Sequence, residues 1–224
     1  MKTTLFCALL ALLAAAPATV HAVELRYSVT FRDYVMATQT VDVVQTDSRK
    51  TVTASFESDL PVFIALHHYS ERLSATFRDD GTVERLEAVR TDGPLRTEIS
   101  GTPAADGSLR IVRTDRNGIS TNLLAREDYD FCDLAIYGTA PADFLPTNAP
   151  ARVLSVAEGA VLPVAIRRID ESDTFERQHL TTTHLVWTEG NHVSHSWHPE
   201  RFSNLPRRYV RQTESGEFTF NLLR

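Results

Sequence analysis

Strict alternation of apolar and polar residues near the start of the chain is the feature that most restricts its fold. In the segment VELRYSVTF, polar residues fall on one face of an extended chain, and the other face carries Val23, Leu25, Tyr27, Val29 and Phe31. Successive side chains of a β-strand point to opposite faces of the sheet. The segment therefore predicts a strand with one buried face.

Further segments of the same kind follow, among them TQTVDVVQT, KTVTASFES, ERLSATFRD and TVERLEAVR. Pairs such as Asp80-Gly81, Asp106-Gly107 and Asn117-Gly118 separate such segments, and these residue types favour tight turns. Strands that recur every 8 to 14 residues or so, with turns between them, are typical of an antiparallel meander. We expect about seven strands before a central connection and about six after it.

The apolar face of so many strands has to be buried, because water does not solvate apolar side chains favourably. A sheet buries one face by closing on itself, by packing on a second sheet, or by enclosing a helix or ligand. The sequence therefore predicts an all-β fold with at most one or two short helices. We expect a strongly curved antiparallel meander that forms a half-open barrel or a sandwich.

The alternation is interrupted at two places. The run LPVFIALHHY, residues 60–69, is apolar without period 2, which predicts a crossing segment, a bulged strand or a short helix. Residues 126–150 are rich in turn-forming residues and begin with acidic side chains. This second stretch predicts an irregular connection with one short helix near residues 129–136.

The first 22 residues have the layout of a cleaved signal peptide. Lys2 precedes an apolar run of about twelve residues, and small residues stand before the expected cleavage site after Ala22. We expect residues 23–224 to form a single β-rich domain, located in the periplasm or secreted. No later run reaches the 18 or so apolar residues of a membrane span, so we expect no transmembrane anchor.

The charge balance bears on whether the protein binds nucleic acid, and the cysteine content bears on the state of its thiols. The chain has 23 Lys and Arg against 29 Asp and Glu, a formal net charge of −6, so we do not expect it to bind nucleic acid. Cys132 is the one cysteine outside the expected signal peptide. It stands between apolar neighbours, which predicts a buried and unreactive thiol.

Two longer stretches carry a resemblance to known proteins. LHHYSERLSATFRDDGTVERLEAVRTDG and HLVWTEGNHVSHSWH each read as a strand, a turn with glycine and a returning strand. They resemble uncharacterised bacterial exported proteins with a domain of unknown function, whose fold is similar to the periplasmic lipoprotein carriers. The resemblance implies a half-open antiparallel barrel around an apolar cavity for most of the chain. It implies no catalytic residues.

Four of the eight histidines lie between residues 184 and 198, in a predicted hairpin. A two-residue turn, which we expect, places His184 and His195 on one face with Val186 and Trp197. A three-residue loop instead groups His184 with His192 and His198. Neither arrangement supplies the third protein ligand of a typical catalytic zinc site, so we predict no metal site. The Val186 and Trp197 face is apolar, and we expect it to point inward.

These patterns favour a non-enzymatic exported protein that binds an apolar small molecule, a lipid or an acylated partner in its curved sheet. We predict no cofactor and no catalytic residue, because the nucleotide, nucleophile and metal motifs of the common enzyme classes are absent from the sequence. The expected ligand contacts are Phe63, Leu66, His184, Val186, His195 and Trp197. Two alternatives stay open: an envelope metallohydrolase that uses residues 184–198, and a scaffold that binds proteins at a strand edge. The sequence leaves the oligomeric state open.

Overall fold

The computed structural model of the protein describes residues 20–31, 34–62, 65–137, 150–175, 178–189, 192–199, 205–213 and 216–223. Side chains at 60–62, 65–67, 170–175, 178–180 and 213 lie outside that description. Among the described residues, no helix is long and apolar enough to cross a membrane.

The described chain forms one sheet of 15 strands. The first eight are β1 (His21–Phe31), β2 (Tyr34–Gln45), β3 (Arg49–Val62), β4 (Ala65–Arg78), β5 (Val83–Asp92), β6 (Leu95–Pro103), β7 (Leu109–Asp115) and β8 (Gly118–Leu124). The rest are β9 (Phe131–Cys132), β10 (Pro150–Ser155), β11 (Ala160–Phe175), β12 (Gln178–Glu189), β13 (His192–Pro199), β14 (Arg208–Thr213) and β15 (Gly216–Leu222). Two short 3-10 helices, η1 (Arg126–Asp128) and η2 (Asp133–Ile136), flank β9.

The strand order shows two meanders joined at one seam. It runs from β8 back to β1, continues through β15, and then descends to β9. Every neighbouring pair is antiparallel except β9 and β10, and β1 pairs with β15 so that Val29 lies opposite Phe220. The predicted all-β fold is confirmed as one large curved open sheet.

One face of the sheet carries the main hydrophobic core, and we call it the core face. Directly paired residues of neighbouring strands point to the same face, so the register traces it from strand to strand. Tyr27, Val41, Val52 and Leu86 lie on it, and each is at most 1% exposed. Gly101 pairs with Leu86 and so lies on the same face. It packs closely there, since a Cβ at this position would lie 2.6 Å from Leu86 Cγ. The alternation in the sequence thus becomes one continuous buried surface.

The segment with η1 and η2 plugs one end of the curved sheet. The Tyr129 hydroxyl accepts a hydrogen bond from the Val83 backbone N–H at 3.3 Å. The Tyr137 ring meets the Tyr27 ring edge-on at 6.1 Å. The sequence predicted a helix in this place, but the chain forms 3-10 turns interrupted by β9, because Phe131 and Cys132 pair with β10 instead. We call this the plugged end.

The sheet curls until the turn between β10 and β11 reaches the core face of β6 and β7. Gly159 has a φ of 62°, and a Cβ there would lie 2.8 Å from Ile99 Cγ2 and 3.1 Å from Ile111 Cγ2. Beside it, Arg113 donates to Glu158 Oε2 at 3.2 Å. Side-chain packing thus joins the β1–β8 meander to the β9–β15 meander. No strand pairing joins them at the far side, where β8 and β9 are the two edge strands of the described sheet.

Residues 60–62 and 65–69, the described part of the run 60–69, do not form the crossing segment, bulged strand or short helix predicted for it. They belong to β3 and β4, whose regular pairing runs from Leu60 opposite His67 out to Val62 opposite Ala65. Because no Gly, Asn or Asp marks the connection between these strands, the sequence gives no turn signal there. The apolar ends of β3 and β4 therefore look like one continuous apolar segment in the sequence.

At the N-terminus, β1 begins at His21, two residues before the expected start of the mature domain. His21 and Ala22 pair with Gln45 and Val44 and are exposed. Residues 1–19 lie outside the described part of the chain, so the signal peptide stays a prediction.

Candidate functional site

The β12–β13 hairpin has the register that a two-residue connection requires. Glu189 pairs with His192, and His184 pairs with Trp197. His184, Val186, His195 and Trp197 therefore share one face, as the sequence predicted.

On that face, aromatic rings and one guanidinium form a stack. The His184 ring lies 4.4 Å from the Trp197 ring, with 12° between their planes, and the Arg208 guanidinium covers Trp197 at 4.9 Å. His184 Nε2 and His195 Nδ1 are 3.0 Å apart, a hydrogen bond that needs at least one of the two rings to be neutral. Burial, followed by the charge of His184, lowers the pKa of His195. We call these four residues the His–Trp stack.

The His–Trp stack lies on the face opposite the core face, so the prediction that it points inward is wrong. On β13, the core face carries Ser196, which pairs with Tyr209 of β14 and through it with Phe220. Both faces of β12 are buried, with Leu185 at 0% and His184 at 8% exposed. Because both faces of the strand mix threonine and histidine with two large apolar residues, its composition could not identify the one that joins the core.

The four hairpin histidines do not converge. His198 is fully buried on the core face, where its Nε2 lies 2.9 Å from Ser196 Oγ, away from His184 and His195. Among the described residues, no group of three or more His, Cys, Asp or Glu side chains is placed to hold a metal ion.

Two further predicted contacts are Phe63 and Leu66. Phe63 lies outside the described residues. Leu66 lies in β4, paired with Pro61, and its side chain is outside the description.

A second cluster of side chains, which the sequence patterns did not reveal, lies on the core face. It is close to the edge of the sheet at which β1, β3, β5, β12 and β14 terminate, and we call this edge the open end. Its members are half-buried or exposed, unlike the fully buried core further along the same strands. The polar members are Tyr69, Glu71, Arg90, Tyr209 and Arg211.

Glu71 is the central acidic group of this cluster. It lies opposite Phe56 of β3 and Arg90 of β5, and the Tyr69 hydroxyl donates to its Oε1 at 3.3 Å. Burial raises the pKa of Glu71 above its ordinary value, and this effect outweighs the opposing charges of Arg211 and Arg90. The protonated, uncharged form of Glu71 is therefore more populated than in a free side chain.

The basic groups on the β5–β7 side of the open end are paired. Arg90 and Arg113 both contact the Glu158 carboxylate, at 3.4 and 3.2 Å. Arg113 also donates to Asp115 Oδ2 at 3.0 Å. These ion pairs join β5 and β7 to the β10–β11 turn.

Arg211 differs from these arginines. It lies opposite Ser194 and Phe218 on the core face, yet its side chain is exposed. No ion pair or hydrogen bond joins its guanidinium to another residue in the described part of the chain. The neighbouring Phe218 packs on Phe31 with ring centres 4.8 Å apart. The open end thus combines an accessible cation with an aromatic surface.

Cys132, at the end of β9, and Asp133, at the start of η2, belong to the segment that closes the plugged end. Asp133 Oδ2 accepts a hydrogen bond from the Val156 backbone N–H at 3.1 Å, and burial raises the pKa of Asp133 to about 6. Cys132 is fully buried, as predicted, and burial raises the pKa of its thiol well above the ordinary value. The thiol is therefore a poor nucleophile.

Strand parity was the signal that could have found the open-end cluster. Glu71 falls in the same alternate register as Leu73, Ala75 and Phe77 of β4, which face the core. A charged residue at an otherwise apolar inward position is uncommon and indicates a special environment.

The plugged end holds a small cleft with a volume of about 110 Å³. Lys50, Phe77, Arg126 and Phe131 are among its lining residues. Typical ligand pockets measure about 300 to 1,000 Å³, so this cleft is too small for a lipid or a drug-sized molecule.

Comparison with known proteins supports the fold. No protein-family model matches the chain, and the search of curated proteins finds no match. Among solved structures, the chain is similar to a beta-barrel-like protein of the domain of unknown function DUF1849 from Brucella abortus. The TM-score is 0.56 at 10% sequence identity, over 93% of this chain and 98% of the other. At this identity the likeness shows a barrel-like fold, and it carries no function.

Proposed function

We propose that the protein is an exported, non-enzymatic binding protein that holds an apolar or acyl-bearing small molecule at the open end of its curved sheet. One observation carries the proposal: the core face is filled near the plug but accessible and aromatic at the open end. Leu86 is fully buried, whereas Phe31, Phe56 and Phe218 on the same face are only partly buried. Ligand sites are concave and mostly apolar, with a few polar groups that fix orientation.

Titration with the neutral apolar dye 1-N-phenylnaphthylamine tests this proposal. We expect saturable fluorescence enhancement with the purified protein. Phe218→Ala should weaken dye binding about tenfold, the loss expected for one aromatic contact. Ile119→Ala is the matched control, because Ile119 is an apolar residue that is 76% exposed on β8. Absence of saturable binding, or equal affinities for the Phe218 variant and the wild type, would contradict the proposal.

The edge of β8 supports a second candidate function, pairing with another protein strand. Its seven residues include no charge and no proline, the usual protections of an edge strand. In an antiparallel pair of two copies centred on Thr121, Ile119 lies opposite Leu123, which is 54% exposed. This candidate predicts a dimer that Leu123→Lys converts to a monomer in light scattering. A wild-type protein that is monomeric at high concentration would exclude such self-pairing.

A further inference from the structure

The charge balance at the open end favours an anion. Arg90 and Arg113 share Glu158, and Arg113 also pairs with Asp115. Arg211 therefore supplies a positive charge that these pairs do not neutralise, in a chain with a formal net charge of −6. After the Tyr209 hydroxyl, Glu71 is the group whose negative charge acts on Arg211 most strongly, and it is the first among the carboxylates. Its shift toward the protonated form weakens that compensation.

The surroundings of Arg211 suit a charged group that ends an apolar chain. Phe218 lies directly opposite it on β15, and Phe31 packs on Phe218 from β1. A guanidinium presents several N–H donors in one plane, which match the oxygens of a carboxylate or a phosphate. Near apolar walls, such a pair is stronger than in bulk water.

We propose that the open end selects amphiphiles with an anionic head group, a carboxylate or a phosphate, and that Arg211 pairs with that head group while the chain lies along Phe218 and Phe31. The inference rests on the proposed function, since it assigns the chemistry of the ligand bound at the same place.

Displacement of bound 1-N-phenylnaphthylamine by three twelve-carbon competitors tests the inference. Dodecanoate and dodecyl phosphate carry the two anionic heads and are used below their micellar concentrations. Dodecanol, used below its solubility limit, is the neutral reference. We expect at least one anionic competitor to bind about tenfold more tightly than dodecanol, the range of one charge-assisted hydrogen bond in an accessible site. Preference for one anion over the other identifies the head group.

Arg211→Gln should remove the preference for anions and leave dodecanol binding unchanged. Arg208→Gln is the matched control: it lies on the same strand, is also exposed, and points to the opposite face, over Trp197. That variant should keep the wild-type preference. Circular dichroism of both variants checks that the sheet is retained, which we expect because both side chains are exposed.

The outcomes separate the two proposals. Wild-type protein that binds dodecanol and the anions equally, or an Arg211 variant that keeps the anion preference, overturns the role of Arg211 and leaves the binding function standing. Loss of the preference in Arg208→Gln alone also overturns it. Failure of the dye and all three competitors to bind overturns both.

Discussion

Asp133, the first residue of η2, is an acidic side chain whose protonation is coupled to folding. The carboxylate accepts the Val156 N–H, yet burial outweighs that hydrogen bond and raises the pKa to about 6. The folded protein therefore binds this proton more tightly than the unfolded chain does. Its contribution to stability is fully present below pH 3.8, the ordinary pKa of an aspartate, and is lost as the pH rises from there through about 6.

Asp133→Asn should remove this pH dependence. Asparagine mimics the protonated carboxyl, so the wild type should lose up to about 3 kcal/mol of unfolding free energy relative to the variant between pH 4 and pH 7. Urea unfolding at a series of pH values measures the difference. In Asp106→Asn, the control, hydrogen bonds from Ser108 lower the pKa of the replaced carboxyl. The wild type should therefore show no such loss relative to this variant between pH 4 and pH 7, and should lose stability relative to it only as the pH falls below 3.8, the ordinary pKa of the carboxyl. A constant difference between wild type and Asp133→Asn would contradict the assignment.

Gly159 sits where the β10–β11 turn meets the core face. Gly159→Ala should destabilise the protein by about 2 to 4 kcal/mol, since it combines an unfavourable positive φ with overpacking against Ile99. Gly107→Ala isolates the backbone effect, because Gly107 has a φ of 85° and no atoms near the added Cβ. Thermal unfolding compares the two variants. Equal losses would show that the turn does not press on β6 and β7.

The sequence predicted inward apolar residues better than inward charges. Tyr27 and Val29 alternate with polar neighbours, and both are buried as expected. Glu71 and Arg211 also fall at inward-facing positions of the alternating pattern. Whether such a position is buried or solvent-exposed depends on how far the sheet curls. Local pattern does not contain that information.

Among the elements, β8 is a full-length strand that the sequence pattern did not predict. Six of its seven residues are exposed. Without a buried face, selection has no reason to impose alternation, so the pattern on which strand prediction depends is missing. The β12–β13 hairpin shows the complementary problem: its register was predictable, but not which of its two faces, both of mixed polarity, joins the core.

The two faces of the β7–β8 pair should therefore differ sharply in their tolerance of mutation. Ile111→Ala, at a residue that is 2% exposed, should cost about 2 to 5 kcal/mol. Ile119→Ala should change the free energy of unfolding by less than about 0.5 kcal/mol. Chemical denaturation of both variants measures this. A large loss at Ile119 would indicate that the outer face of β8 is covered.

For the molecule as a whole, the alternation was enough to predict an all-β curved meander, because a one-sided apolar sheet has few ways to bury its face. The closure was not predictable. It depends on contacts such as Gly159 with Ile99, which join residues 60 positions apart in the chain. Those long-range contacts also create the open end, so the candidate site could not be found before the fold was known.

The proposed ligand lies on the core face at the open end, with its head group at Arg211. Crystal structures of the protein with dodecanoate and with dodecyl phosphate would show whether a ligand binds there. We expect an anionic head within hydrogen-bonding distance of the Arg211 guanidinium and the chain against Phe218. A ligand bound at the His–Trp stack instead, or an open end occupied by protein side chains and no ligand, would contradict the proposal.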